Sequence, residues 1–221
     1  MKKILAVLMA LTFVLSFAAL AEGVMTHADY IAAELDTEVT VETYVQAKQS
    51  WWENKATVYA QSEDGAYFMY DMACAEEDYD KLVPGAKIRV NGYKAEWAGE
   101  VEIVDATFEI IEGEAFIAEP LDVTALLGTE ELIAHQNEKV AFKGMTVVAA
   151  GQDADGNDLY FNVSLNDQVY TFTVESYLTG AGTEVYEAVK ALNIGDVIDM
   201  EGFLYWYEGV NPHITAVSAA A

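Results

Sequence analysis

Residues 38–48 alternate apolar and polar side chains, as in Val39-Thr-Val-Glu-Thr-Tyr-Val45, and alternation at a period of two predicts a strand with one face buried. Further strands are predicted over 56–61 and 66–72, joined by the tight turn Glu63-Asp64-Gly65. Residues 75–82 carry acidic side chains in their first turn and stop at Pro84-Gly85, which predicts a short helix. Residues 87–93 and 101–111 then predict a last hairpin around 94–99. The same order returns: strands over 139–149, 159–165 and 168–174, a helix over 184–192, and strands over 197–205 and 213–217. Residues 112–120 read as the linker. Helical segments are predicted ahead of each unit, over 26–34 and 123–135.

The second half repeats the first at an offset of 110. Gly85 falls on Gly195, Ile88 on Ile198, Val90 on Met200, Gly92 on Gly202 and Tyr93 on Phe203, and Trp97 falls on Tyr207 with Gly99 on Gly209. Turn glycines in register argue for duplication. Three strands, a helix and a two-stranded hairpin is the element order of an OB-fold barrel. The motif Gly85-x-x-Ile88-x-Val90-x-Gly92-Tyr93 resembles the strand-four signature of bacterial OB domains, including those that bind nucleic acid, and the chain resembles the tandem OB-fold domains of exported bacterial proteins. The expectation is an all-β protein with short helices: two tandem five-stranded OB-fold-like barrels, each with a helix between strands three and four. The expected boundaries are 1–21 for a signal peptide, 22–118 for the first barrel and 119–221 for the second.

The signal peptide rests on Lys2 and Lys3, an apolar run over 4–20, and the small-x-small pattern Ala19-Leu20-Ala21 before Glu22. It predicts Sec-type export to a secreted, periplasmic or cell-envelope location, with no membrane attachment after cleavage. Two of the 11 basic side chains lie in that leader, so 9 remain against 37 acidic ones, a net of −28. Such a surface is soluble and repels polyanions. Cys74 is the sole cysteine, so an internal disulfide is excluded, and it reads as a small buried hydrophobe. His27, His135 and His213 are far apart and match no metal or catalytic spacing.

OB barrels engage ligands on the face of strands two and three and with the loops joining strands 1–2 and 4–5. On that footing Trp51, Trp52, Tyr59, Tyr67, Trp97 and Trp206 are the candidate ligand-binding residues, suited to stacking. The expected role is a non-catalytic binding module for a small molecule, glycan or peptide, a basic peptide fitting the charge. The alternatives are a structural or protein-interaction domain of the envelope and an oligonucleotide-binding protein. The last is disfavoured because phosphates call for Lys and Arg. Asp153, Asp155, Asn157 and Asp158 space oxygen atoms as calcium loops do, though turns use the same residues. No other cofactor is indicated. No nucleophile motif or phosphate-cradling loop is present, so no enzyme activity is expected.

Overall fold

The computed structural model describes residues 23–153 and 158–220. The leader expected over 1–21 lies outside them.

A short helix, α1 (His27–Ala32), leads into the first barrel. Its capping box is complete, with the Thr26 hydroxyl accepting from the Asp29 N–H and the Asp29 carboxylate reaching back to the Thr26 N–H. β1 (Glu38–Lys48) pairs antiparallel with β2 (Lys55–Ser62), which pairs with β3 (Gly65–Ala73). On its other edge β1 pairs with β4 (Lys87–Trp97), which pairs in turn with β5 (Glu100–Ile110). A single parallel bridge from Met69 to Ile103 closes the barrel in the order β1-β2-β3-β5-β4.

The second unit opens on β6 (Leu121–Asp122), which lies parallel to β7 (Lys139–Asp153). β8 (Leu159–Leu165) and β9 (Gln168–Val174) follow as a hairpin. β10 (Val197–Phe203) pairs with both β7 and β11 (His213–Ala219), and one parallel bridge, His213 to Thr173, links β11 to β9. The strand path thus returns on itself as in the first unit, and the OB-like all-β architecture is as expected.

The repeat is visible in the backbone. Gly85 and Gly195 both adopt positive φ, 88° and 94°, and donate to Val45 O at 2.7 Å and Val147 O at 2.8 Å. L-residues rarely reach that conformation, which explains glycine at both places. Gly92 and Gly202 sit at equivalent register shifts, where the hairpin partner comes very close. A Cβ on Gly202 would lie 2.2 Å from His213 O.

Helices are shorter than expected. The segment predicted over 75–82 forms only one turn, α2 (Glu76–Tyr79), because Leu82 drops into the barrel core and Pro84 cannot continue a helix. The helical prediction over 123–135 is corrected to two 3-10 turns, Thr124–Leu126 and Glu130–His135, parted by Gly128 at φ +81°. Between β9 and β10 stand α3 (Ser176–Thr179) and α4 (Glu184–Lys190), and the buried side chains of α4 pack on the second core.

Each barrel has its own apolar core. A third cluster joins them, in which Tyr59 and Phe68 of the first barrel meet Phe203 and Tyr205 of the second. Tyr59 stacks on Phe203 with ring centres 4.6 Å apart, and the Tyr59 hydroxyl lies 2.7 Å from His213 Nδ1. Polar contacts continue the seam: Gln136 Nε2 donates to Gly99 O at 2.8 Å, Asn137 Nδ2 to Val101 O at 3.1 Å, and Lys139 N–H to Gln61 Oε1 at 2.8 Å.

Candidate functional site

At one end of this seam the loops of both barrels enclose a cleft of about 640 Å³. Two tight turns on the first barrel present its tryptophans. Trp52 and Lys55 exchange backbone hydrogen bonds across Glu53 and Asn54, both at positive φ. Trp97 and Glu100 face each other across Ala98 and Gly99, again both at positive φ. Two successive positive φ angles make the type I′ geometry that matches strand twist, so each tryptophan is held at the rim of a rigid hairpin. Trp52 is 67% exposed and Trp97 is 55% exposed.

The second barrel supplies the opposite wall. Tyr207 packs on Trp97 with ring centres 5.1 Å apart, and the neighbouring Glu208 N–H donates to Ala98 O at 2.8 Å. Tyr177 of α3 accepts from the Ser50 N–H at 2.8 Å through its backbone carbonyl, which leaves its ring exposed. Tyr160 of β8 and Tyr70 of β3 complete the ring-lined surface. Tyr205 and His213 stack at its floor with centres 4.1 Å apart.

The acidic groups of the cleft already have structural work. Glu175 caps α3, accepting from the Leu178 N–H at 2.7 Å, and burial pushes its carboxyl up to about 7. Asp158 accepts from the Ser176 N–H at 2.8 Å and from the Tyr160 hydroxyl at 3.1 Å. Asp71 pairs with Lys55 at 2.9 Å. His213 is driven down to about 3 by burial, so it is neutral, and its Nδ1 is hydrogen-bonded to the Tyr59 hydroxyl.

The sequence-derived candidates divide. Trp52 and Trp97 line the cleft. Tyr59 and Tyr67, expected on an outer ligand face, are buried: Tyr59 in the seam, and Tyr67 against Tyr30 and His27. The placement is corrected for two reasons: the outer face that carries Tyr59 is covered by the second barrel, whereas Tyr67 alternates with Phe68 and points inward, into the first core beside α1. Trp51 is half-buried on the first core and donates to Cys74 O at 2.9 Å. Trp206 packs on the second core, and its backbone N–H donates to Glu100. Neither opens into the cleft. Cys74 is buried, as its reading required. Of the calcium candidates, Asp158 has both oxygens engaged, while Asp155, Asn157 and the side chain of Asp153 lie outside the described residues. Tyr70, Tyr160 and Tyr177 escaped the sequence reading. Tyr207 stands at the repeat position of Trp97, and that match was the signal for it.

No protein-family model matches the chain, and no curated protein does. Among solved structures it is similar to a murine DNA-binding protein bound with double-stranded DNA, at 12% identity and a TM-score of 0.39, covering 82% of this chain and 96% of that one. It is similar to the Ifi202 HINa domain in complex with 20-base-pair DNA, at 11% identity and a TM-score of 0.38, covering 85% and 98%. It is also similar to an asparaginyl-tRNA synthetase from Pyrococcus horikoshii, at 15% identity and a TM-score of 0.31, covering 37% of this chain and 19% of that one. At such identities and TM-scores no role passes from these proteins to this chain. They do correct one expectation. Nucleic acid was set aside on net charge, in favour of a small molecule, glycan or peptide. With DNA complexes among the structures to which this chain is similar, that exclusion is withdrawn, and the preference built on it lapses.

Proposed function

We propose that the cleft between the barrels binds unpaired nucleic-acid bases by stacking. The observation that supports this most is the convergence of exposed ring faces from both barrels, those of Trp52, Trp97, Tyr70, Tyr160, Tyr177 and Tyr207, on one cleft of about 640 Å³. That size accommodates a base and its sugar. Stacking on aromatic faces is indifferent to base identity and worth about 1–3 kcal/mol per base.

The phosphates stay outside. All nine Lys and Arg side chains among the described residues are engaged. Lys87 and Arg89 share Glu42, Lys55, Lys81 and Lys143 pair with aspartates, Lys48, Lys94 and Lys139 donate to carbonyls, and Lys190 lies over the Tyr186 ring. With a formal charge of −26 and no free basic patch, backbone contact is repulsive. Counterion release normally makes such binding weaken as salt rises. Here salt screens a repulsion, so binding strengthens with salt. The role is one of binding without chemistry. Residues 1–21 serve as the export leader in this proposal, and the protein then works outside the cytoplasm.

Titration of a short single-stranded oligonucleotide, from 50 to 500 mM salt, tests the reading through tryptophan fluorescence. Quenching that grows with salt and is lost in Trp52→Ala and Trp97→Ala is the expected result. No quenching at any salt, or quenching unchanged in both variants, ends the proposal.

A further inference from the structure

Glu100 opens β5 at the seam, and its exposure is 0%. Its Oε2 accepts two hydrogen bonds, both from the second barrel: Gln136 Nε2 at 3.1 Å and the Trp206 N–H at 2.9 Å. Its Oε1 is buried without a partner. The side chain of Asn137 beside it is among the hydrogen-bonding groups that favour the charged carboxyl, against burial, and Asn137 Oδ1 is itself buried without a partner. A carboxylate oxygen buried without a partner is costly. A proton on Oε1 removes the buried charge while Oε2 keeps its two donors from the second barrel.

The surroundings favour that proton. The titratable groups that face Glu100 are Glu102 on its own strand, Tyr30 of α1, Tyr59 of β2, and Tyr205, which follows β10. All are acids, and no Lys or Arg is among them. Burial pushes the Glu100 carboxyl up to about 8, against the opposing hydrogen bonds. The same residue is tied to the cleft wall. Glu100 is the register partner of Trp97, and the Trp206 N–H that it holds precedes Tyr207, the ring stacked on Trp97.

We propose that Glu100 is a proton-operated latch between the barrels: protonated, it closes the seam and sets the Trp97–Tyr207 wall of the cleft, and ionised, it loosens both. The latch stands independently of what the cleft binds.

Two readings on the full chain between pH 6 and 9.5 test it. The ¹³C shift of Glu100 Cδ follows ionisation, and tryptophan emission follows the seam through Trp97 and Trp206. Both should step together with a midpoint near 8. Glu100→Gln keeps the neutral pattern, with its carbonyl accepting from Gln136 and Trp206, so its emission should be flat over that range. Glu102→Gln should retain the step. Asn137→Leu removes a group that favours the ionised carboxyl, and the midpoint should rise; this variant serves if Glu100→Gln does not fold. An emission step that persists in Glu100→Gln, an ionisation that emission does not follow, or a midpoint unmoved in Asn137→Leu overturns the proposal.

Discussion

Tyr59→Phe isolates one atom of the seam. The hydroxyl it removes bridges the barrels, accepting from Gln49 Nε2 at 3.2 Å and hydrogen-bonded to His213 Nδ1 at 2.7 Å. Phe keeps the ring, so the stack on Phe203 and the contact with Phe68 survive. Gln49 borders the open cleft and can turn to water. His213 is buried at the cleft floor with Nδ1 facing Tyr59 in the seam, and that ring nitrogen is left without a partner. Stranding one buried polar atom costs about 1–3 kcal/mol. For a chain of this size each kcal/mol moves Tm by about 2–4 °C, so a fall of roughly 2–12 °C is expected. Phe203→Ala, which deletes the stacked ring instead, should cost more, about 3–5 kcal/mol. Urea denaturation followed by circular dichroism measures both. If Tyr59→Phe costs under about 0.5 kcal/mol, the bond to His213 does not hold the seam.

Three further outcomes follow from the same geometry. Stability should decline as pH rises from 4.5 to 8. Glu100, Glu102 and Glu175 retain protons in the fold up to about 8, 7 and 7, whereas the unfolded chain releases them near the ordinary 4.5. His213 acts in the opposite sense, removing stability as pH falls from 6.5 towards about 3. Burial lowers His27 in the same sense, so above pH 4.5 three groups oppose two; Tm should still be higher at pH 5 than at pH 8, and a melting series that rises steadily over that interval contradicts the burial of these acids. Gly202→Ala forces a Cβ to within 2.2 Å of a backbone oxygen and should cost about 1–3 kcal/mol by thermal melting. Phe172→Ala empties the centre of the second core, where Phe172 meets Phe142 and Phe161, and should cost about 3–5 kcal/mol by urea denaturation.

The barrels were legible because their determinants are local. Alternation over 38–48 specifies which face of β1 is buried, and Glu63-Asp64-Gly65 specifies a hairpin. Gly85, Gly92, Gly195 and Gly202 mark backbone positions that few other residues tolerate, so the repeat could be read from them directly. Helix lengths were less legible. Acidic side chains at 76–78 favour starting a turn, but how far it runs depends on where Leu82 must go, and that is decided by the barrel. The cleft was half legible. Trp52 and Trp97 stood in predicted loops, where exposure follows from the turn. Tyr59 and the half-buried Trp51 have the same chemistry but are covered by parts of the chain distant in sequence, and Tyr67 points into the barrel core. Alternation along a strand shows that two faces differ; it does not say what covers the second one. Glu100 gave no sign at all, since one acid among 37 carries no mark of burial.

What covers that second face also determines where a ligand can go. In a lone OB barrel the outer surface of strands two and three is the ligand platform. Here Tyr59 of β2 and Phe68 of β3 spend that surface on Phe203, Tyr205 and His213. The seam therefore takes the place of the platform and moves the open aromatic surface outward to its edge, where hairpin turns at 53–54 and 98–99 hold Trp52 at the rim and Trp97 against Tyr207 of the other barrel. A cleft built in this way belongs to neither barrel alone. Its width follows the seam, so substitutions at Tyr59, Phe203 or Glu100, which present no ring to a ligand, should alter affinity together with stability. Trp52→Ala, at an exposed rim position, should alter affinity alone.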